Sequence, residues 1–343
     1  MVSMGAAAAQ IDFFKDEIKW IGQHSVATLE AYEASSRAGR GDARMLRSQR
    51  ALMWEVYNAY LRLRTPEGFL YDLEDIAGAV ERAFDTDTSE RLYRNVIIDE
   101  GQDLSPAMLR ALAKAVPRGG SLTFFGDVAQ QIYGHRMSWK SAGLKPAKIW
   151  MFEQNYRNTG AIADLALAIS TMPYYAEAAA DLVRPQHPVA EGPKPTLVSF
   201  ADPAAEVDFL VQRAPVLARG RSVAILTRTR EQARRLQDRI AGSVQELNRK
   251  LTRWSGGAGL SIGTLHAGKG LEFDVVILPF LSDGEFPNPA TIEAVGLEDA
   301  TAGDGRLLYV GVTRARKELL LTHSGQRTRL LPADPALYTS LTR

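Results

Sequence analysis

The sequence has no cysteine, a net charge of only +1 and no long apolar run. Without thiols there are no disulfides, no thiolate zinc sites and no cysteine nucleophiles, which fits a reducing compartment. Near-neutral charge excludes a generally basic protein, so any polyanion contact must come from local patches. No stretch reaches the ~18 consecutive apolar residues of a membrane helix. The opening MVSMGAAAAQ has neither the basic region nor the apolar length of a signal peptide. The expectation is a cytoplasmic protein with no membrane partner. A further absence is a G-x-x-x-x-G-K-[ST] phosphate loop.

What is present has the balance of a globular protein. The chain has 343 residues, 45% hydrophobic and 24% charged, enough for two domains of ordinary size. From Ile11 to about Phe84, apolar residues recur three and four apart in IDFFKDEIKWIGQ, SVATLEAYEASSR and LRSQRALMWEVYNAYLRLR. That spacing predicts a helical subdomain. NVIID and SLTFFGD then read as buried strands on either side of the helix PAMLRALAKAV, and another helix begins near Thr159. Strands alternating with helices predict a parallel sheet. After the loop HPVAEGPKP, strands are expected at TLVSF, SVAILTR, SIGTL and DVVILPF, with helices at AAEVDFLVQRAPVLA and REQARRLQDRIAGSVQELNRK. The expected division is a helical subdomain over 1–90, a partial α/β domain over 91–155 and a second α/β domain over 156–343.

VIIDEGQD puts Asp99 and Glu100 at the carboxyl end of a buried strand, the edge where open α/β sheets bind ligands. Asp99 suits Mg²⁺ held through water, and Glu100 suits orientation of an attacking water. Taken alone, the pair reads equally as a solvated turn. SLTFFGDVAQQIYGHR ends a second strand in Asp127 and places Gln130 where it could sense a γ-phosphate. Tyr133, His135 and Arg136 follow, interleaving aromatic and cationic groups as a single-strand stacking platform does. In FEQNYRNTG, Tyr156 could stack on a purine and Arg157 clamp a phosphate, before a helix that Thr159 would cap.

TLHAGKGLEF invites a phosphate-loop reading, because Gly263 and Gly268 have the glycine spacing. Gly270 follows Lys269, however, and LEFDVV reads as turn and strand, so Lys269 is not the phosphate-loop lysine. GDGRLLYVGVTRARKELLLTH sets Arg306, Arg314 and Arg316 along a helix that feeds a terminal strand. Arg314 could act as an arginine finger, a role worth ~10³ to 10⁵ in rate. Arg37, Arg40, Arg44, Arg47 and Arg50 recur at helical spacing and could form a phosphate track. Each of these stretches alone also reads as packing or a charged surface.

In this order, DEGQD, GDVAQQIYGHR, NYRNT, TLHAGKGLEF and LLYVGVTRAR resemble motifs II to VI of the UvrD/Rep family of superfamily 1 DNA helicases. GFLYDLEDIAGAVERA is similar to the family segment before motif II. The resemblance implies an α/β fold of two RecA-like parallel-sheet domains, the first incomplete, with an N-terminal helical subdomain. It implies ATP and Mg²⁺ as cofactors, single-stranded DNA as partner, and translocation in the 3′ to 5′ direction. Asp99 and Glu100 would serve the metal and water, with Gln102 and Asp103 beside the cofactor, and Gln130 would couple the γ-phosphate to DNA. Tyr156 would stack on adenine, Arg157 and Arg314 would contact the γ-phosphate, and Glu272 would meet the ribose. Tyr133, His135, Arg136, Thr264 and His266 would lie along the strand.

Three departures accompany the resemblance. His135 stands where the family has a stacking tryptophan, the large 2B insertion is reduced to a few helical turns near residues 231 to 256, and no phosphate loop precedes DEGQD. The missing loop implies a later portion of a longer helicase, a second polypeptide supplying the loop and its strand, or a rebuilt first domain. The motor would then be weak or inactive alone. The alternatives are a pseudo-helicase that binds single-stranded DNA without hydrolysis, and a subunit donating Arg157 and Arg314 to another chain's ATP site.

Overall fold

The computed structural model describes residues 4–35, 47–126, 145, 147–150, 155–174, 188, 190–248, 251 and 256–343. They fall into two compact units, one holding the described residues up to Ile149 and the other those from Trp150 on.

The first unit opens with helices α1 (Met4–His24), α2 (Leu29–Ala34), α3 (Arg47–Arg64) and α4 (Ile76–Ala83). Trp20, Ile21, Tyr32, Met53 and Tyr57 form the core of the first three. Arg50, buried on α3, corrects the phosphate-track reading at that position. Its Nη1 donates to the carbonyls of Tyr32, Glu33 and Ser35 at 3.0, 2.5 and 3.1 Å, satisfying the end of α2. Arg37, Arg40 and Arg44 lie outside the described residues.

β1 (Asn95–Ile98) and β2 (Ser121–Phe124) then pair in parallel around α5 (Pro106–Ala115). The helix starts where the sequence provides for it: Ser105 accepts from Met108 N and Pro106 occupies the first turn. Ile98, Leu109, Val96 and Leu122 pack together, whereas Ile97, on alternate strand parity, is 71% exposed. Among the described residues β1 pairs with β2 alone.

The second unit contains α6 (Gly160–Ser170), β3 (Thr196–Phe200), α7 (Pro203–Leu217), β4 (Ser222–Thr227), α8 (Arg230–Gln237), β5 (Val244–Leu247), β6 (Gly259–Thr264) and β7 (Phe273–Leu278). α9 (Pro289–Val295), α10 (Leu297–Thr313), β8 (Ala315–Ser324) and β9 (Thr339–Thr342) complete it. Its seven strands are ordered β5-β6-β4-β7-β8-β3-β9, and every pairing is parallel. Both faces are covered, as parallel sheets require. Ala224, Leu226, Val276 and Leu278 face α6 and α10, while Val223, Ile225, Val275 and Ile277 face α7 and α8. The α/β class with parallel sheets therefore holds, and the layout is consistent with RecA-like domains.

Two local expectations are corrected. REQARRLQDRIAGSVQELNRK is not one helix: α8 stops at Gln237, Gly242 takes φ +101, and Val244–Leu247 joins the sheet beside β6. Arg316 is not helical, because α10 ends at Thr313 with Arg314 as its cap and Arg316 lies on β8.

Candidate functional site

In the first unit, Asp99 and Glu100 are exposed immediately after β1. Glu100 has φ +51 and ψ +34, a left-handed conformation uncommon for a residue with a side chain. Its backbone N–H donates to Asp99 Oδ1 at 2.9 Å, and its carboxylate accepts from Gln102 Nε2. Gln102 is buried, so it orients Glu100 from beneath, while Asp103 is exposed. Gly101 allows the turn, since a Cβ there would lie 2.0 Å from the ring of Phe124 on β2. The acid pair thus projects from a turn pinned to both strands. Its exposed carboxylate oxygens fit Mg²⁺, a hard cation that takes one or two carboxylates beside phosphate oxygens. Asp127, Gln130, Tyr133, His135 and Arg136 lie outside the described residues.

In the second unit, four of the expected residues gather at the amino edge of the sheet. Tyr156 is 86% exposed. Arg157 Nε pairs with Glu272 Oε1 just before β7. Phe273 N donates to Arg314 O at 3.0 Å, bringing Arg314 alongside. Arg314 itself is 1% exposed, and its Nε donates to Val310 O at 3.2 Å.

Thr159 occupies the cap position of α6, but its hydroxyl accepts no helix N–H. The preceding turn is held instead by Asn155 Oδ1, which accepts from the N–H groups of Arg157 and Asn158 at 3.0 and 3.2 Å. Asn158, buried, was not singled out from the sequence, yet its Nδ2 donates to Thr313 O and Ala315 O on either side of Arg314. Only the repeated asparagine of NYRN hinted at it.

Thr264 and His266 stand at the other, carboxyl edge of the same sheet. After β6 the chain turns tightly, with Ala267 N and Gly268 N donating to Thr264 O at 2.9 and 3.0 Å. The glycines of this stretch answer to packing: a Cβ at Gly263 would lie 2.6 Å from Leu247 Cβ, and one at Gly268 2.9 Å from Leu226 Cδ1. Strand β7, not a helix, follows Lys269. Burial, then the charges of Arg228 and Lys269, push the His266 imidazole down to about 4, so it is neutral at pH 7.

The class these features define is a two-unit parallel α/β protein, with an exposed acid pair at a strand end on one unit and an exposed tyrosine beside arginines on the other. The chain belongs to the UvrD/Rep-like helicase family. The UvrD/REP helicase N-terminal domain model matches residues 14–145, and the UvrD-like helicase C-terminal domain model matches residues 245–326. A probable DNA helicase II homolog of Rickettsia felis is 29% identical over 196 residues, 54% of this chain and 30% of the relative. The ATP-dependent DNA helicase PcrA of Bacillus subtilis is 39% identical over 90 residues, 26% of this chain and 12% of the relative. The ATP-dependent DNA helicase UvrD2 of Mycobacterium tuberculosis is 23% identical over a 418-residue alignment, covering 91% of this chain and 59% of the relative. The chain therefore spans 59% or less of the length of these relatives. No helix among the described residues is long and apolar enough to cross a membrane.

Proposed function

We propose that this chain is the motor portion of an ATP-dependent translocase moving 3′ to 5′ on single-stranded DNA. The observation that carries the reading is the grouping of Tyr156, Arg157, Glu272 and Arg314 at one edge of the second sheet, with Thr264 and His266 at the other. One edge would bind nucleotide and the opposite one the strand. Bound Mg²⁺–ATP supplies the free energy of phosphoryl transfer. Asp99 holds the metal, Glu100 orients the attacking water, and Gln102 keeps Glu100 in place, with Asp103 beside them. Tyr156 stacks on the base, Glu272 meets the ribose, and Arg157 and Arg314 neutralise charge developing on the γ-phosphate. Gln130 links the phosphate to DNA, and Tyr133, His135 and Arg136 extend the strand contact.

The sequence contains no G-x-x-x-x-G-K-[ST] loop, so turnover by this chain alone is expected to be weak or absent. The test is ATP hydrolysis with and without single-stranded DNA, with Glu100→Gln to exclude contaminating ATPase. DNA-stimulated turnover abolished by Glu100→Gln makes the chain a complete motor. No turnover with DNA binding intact supports a motor portion awaiting its phosphate loop. Loss of both removes the proposal.

A second reading has its own support. Arg157 is paired with Glu272, and Arg314 is buried. Both arginines are thus engaged within the second unit, as expected of a chain that grips DNA without hydrolysis or donates them only when a partner's ATP site draws them out. DNA binding that ignores ATP, even with a phosphate loop supplied in trans, would favour it.

A further inference from the structure

Arg228 leaves the carboxyl end of β4 and is held by a buried acid. Its Nε donates to Asp304 Oδ1 at 2.8 Å and its Nη2 to Thr291 Oγ1 at 2.9 Å. Asp304, 1% exposed in the middle of α10, accepts with Oδ2 from Asn288 N at 2.7 Å. Unpairing such a buried charge is costly, so the pair fixes Arg228 relative to α9 and α10.

The same strand tip carries the loop that follows β6. Leu265 N donates to Thr227 O at 2.8 Å, and Thr227 Oγ1 donates to Gly263 O at 3.3 Å. Thr229, one residue past Arg228, closes a capping box with Gln232 that fixes the start of α8. α10 meets the loop from the other side. Gly311 lies so near it that a Cβ would come within 2.5 Å of Leu265 Cδ2. The charge of Arg228 acts on His266, which lies between these anchors, and helps to hold its imidazole neutral. The loop's footing is therefore a strand tip whose own position is set from within α10.

We infer that the Arg228–Asp304 pair positions the Thr264–Lys269 loop for single-stranded DNA, so that α10 joins the loop's placement to that of Arg314 at its own end. The inference rests on the DNA-binding reading above. Asp304 is a positioning residue, because at 1% exposure it cannot touch nucleic acid. Nothing in the motif resemblance assigns it, and it lies nine residues before the last residue of α10.

The test is the affinity of the full chain for a labelled oligothymidylate at fixed salt, read by fluorescence anisotropy, together with backbone amide spectra of the loop. Asp304→Asn separates the explanations by sign. Removing a negative charge would, by electrostatics alone, tighten polyanion binding. Lost positioning instead weakens it, about five-fold, with the amides of Leu265, His266 and Ala267 displaced. Thr291→Val removes one acceptor from Arg228 while leaving Asp304 in place. It should weaken binding about two-fold, and it carries the test if Asp304→Asn does not fold. Unchanged or tighter binding by the folded variant overturns the inference, whatever the amides do. If the unsubstituted chain does not bind, the DNA reading above has failed, and the amides then decide: displacement keeps the positioning role and no displacement removes it.

Discussion

Asn158 donates through one amide nitrogen to the carbonyls of both Thr313 and Ala315, at 3.2 and 2.5 Å, and so brackets Arg314 from a turn more than 150 residues earlier in the chain. Asn158→Ala would leave two buried carbonyls without this donor. The expected cost is about 2 kcal/mol, seen as a lower urea midpoint for the second unit with an unchanged slope. A midpoint equal to that of the unsubstituted chain would show that water replaces the amide without loss.

The left-handed backbone at Glu100 makes a second prediction. Glu100→Gly and Glu100→Ala both lose the Gln102 contact and the carboxylate, but only glycine relieves the conformation. The glycine variant should be the more stable of the two by about 1 kcal/mol, measured by denaturant titration, while neither supports ATP turnover. Equal stabilities would mean that the turn relaxes once the carboxylate is gone.

Gly263→Ala tests whether the glycine spacing of this stretch serves packing. The added Cβ would meet Leu247 Cβ at 2.6 Å and Leu247 O at 2.9 Å, so β5 or β6 must shift. Overpacking of this kind costs about 1–3 kcal/mol, and a thermal melt should register the loss in the absence of any nucleotide. A phosphate-cradling glycine would instead show its effect in nucleotide affinity, with stability unchanged.

His266 gives a pH dependence of definite sign. Its pKa falls from 6.5 to about 4 on folding, mainly through burial, so between those values the unfolded chain binds the extra proton and the folded chain does not. Stability from this group is complete above about pH 6.5 and declines as pH falls toward 4. Burial lowers His24 and His323 as well, which adds in the same direction, and raises Glu206 and Asp304, which opposes it. Comparison with His266→Gln therefore isolates the contribution. The variant should lose less stability between pH 7 and pH 5, by denaturant midpoint, and parallel profiles would place His266 in water.

Legibility in the sequence followed the range of the interactions. SVAILT and FDVVIL have the apolar runs of buried parallel strands and fold as such, whereas NVII and SLTF pair in parallel as expected but bury only Ile98 among the residues of their two strands. VQEL has no such run; only its pairing with β6 and the close approach at Gly263 make it a strand, where the sequence alone predicts an extension of α8. At Thr159 the residue type suggested a side-chain cap, but Asn155 supplies the turn's acceptor, a choice between neighbours that propensity does not resolve. Asn158 and Asp304 were invisible for a different reason. Asn158 binds two backbone carbonyls, which have no sequence signature, and Asp304 pairs with an arginine 76 residues away. Tyr156, Arg157, Glu272 and Arg314 were legible only because their motifs occur together and in order.

The loop after β6 and the arginine before β8 stand at opposite ends of strands that run the same way. A six-residue strand such as β4, β6 or β7 is ~20 Å long, and a hydrogen-bonded ladder of seven parallel strands neither stretches nor shears easily. A displacement at one end is thus not absorbed on the way but reappears at the other as a tilt of the whole body.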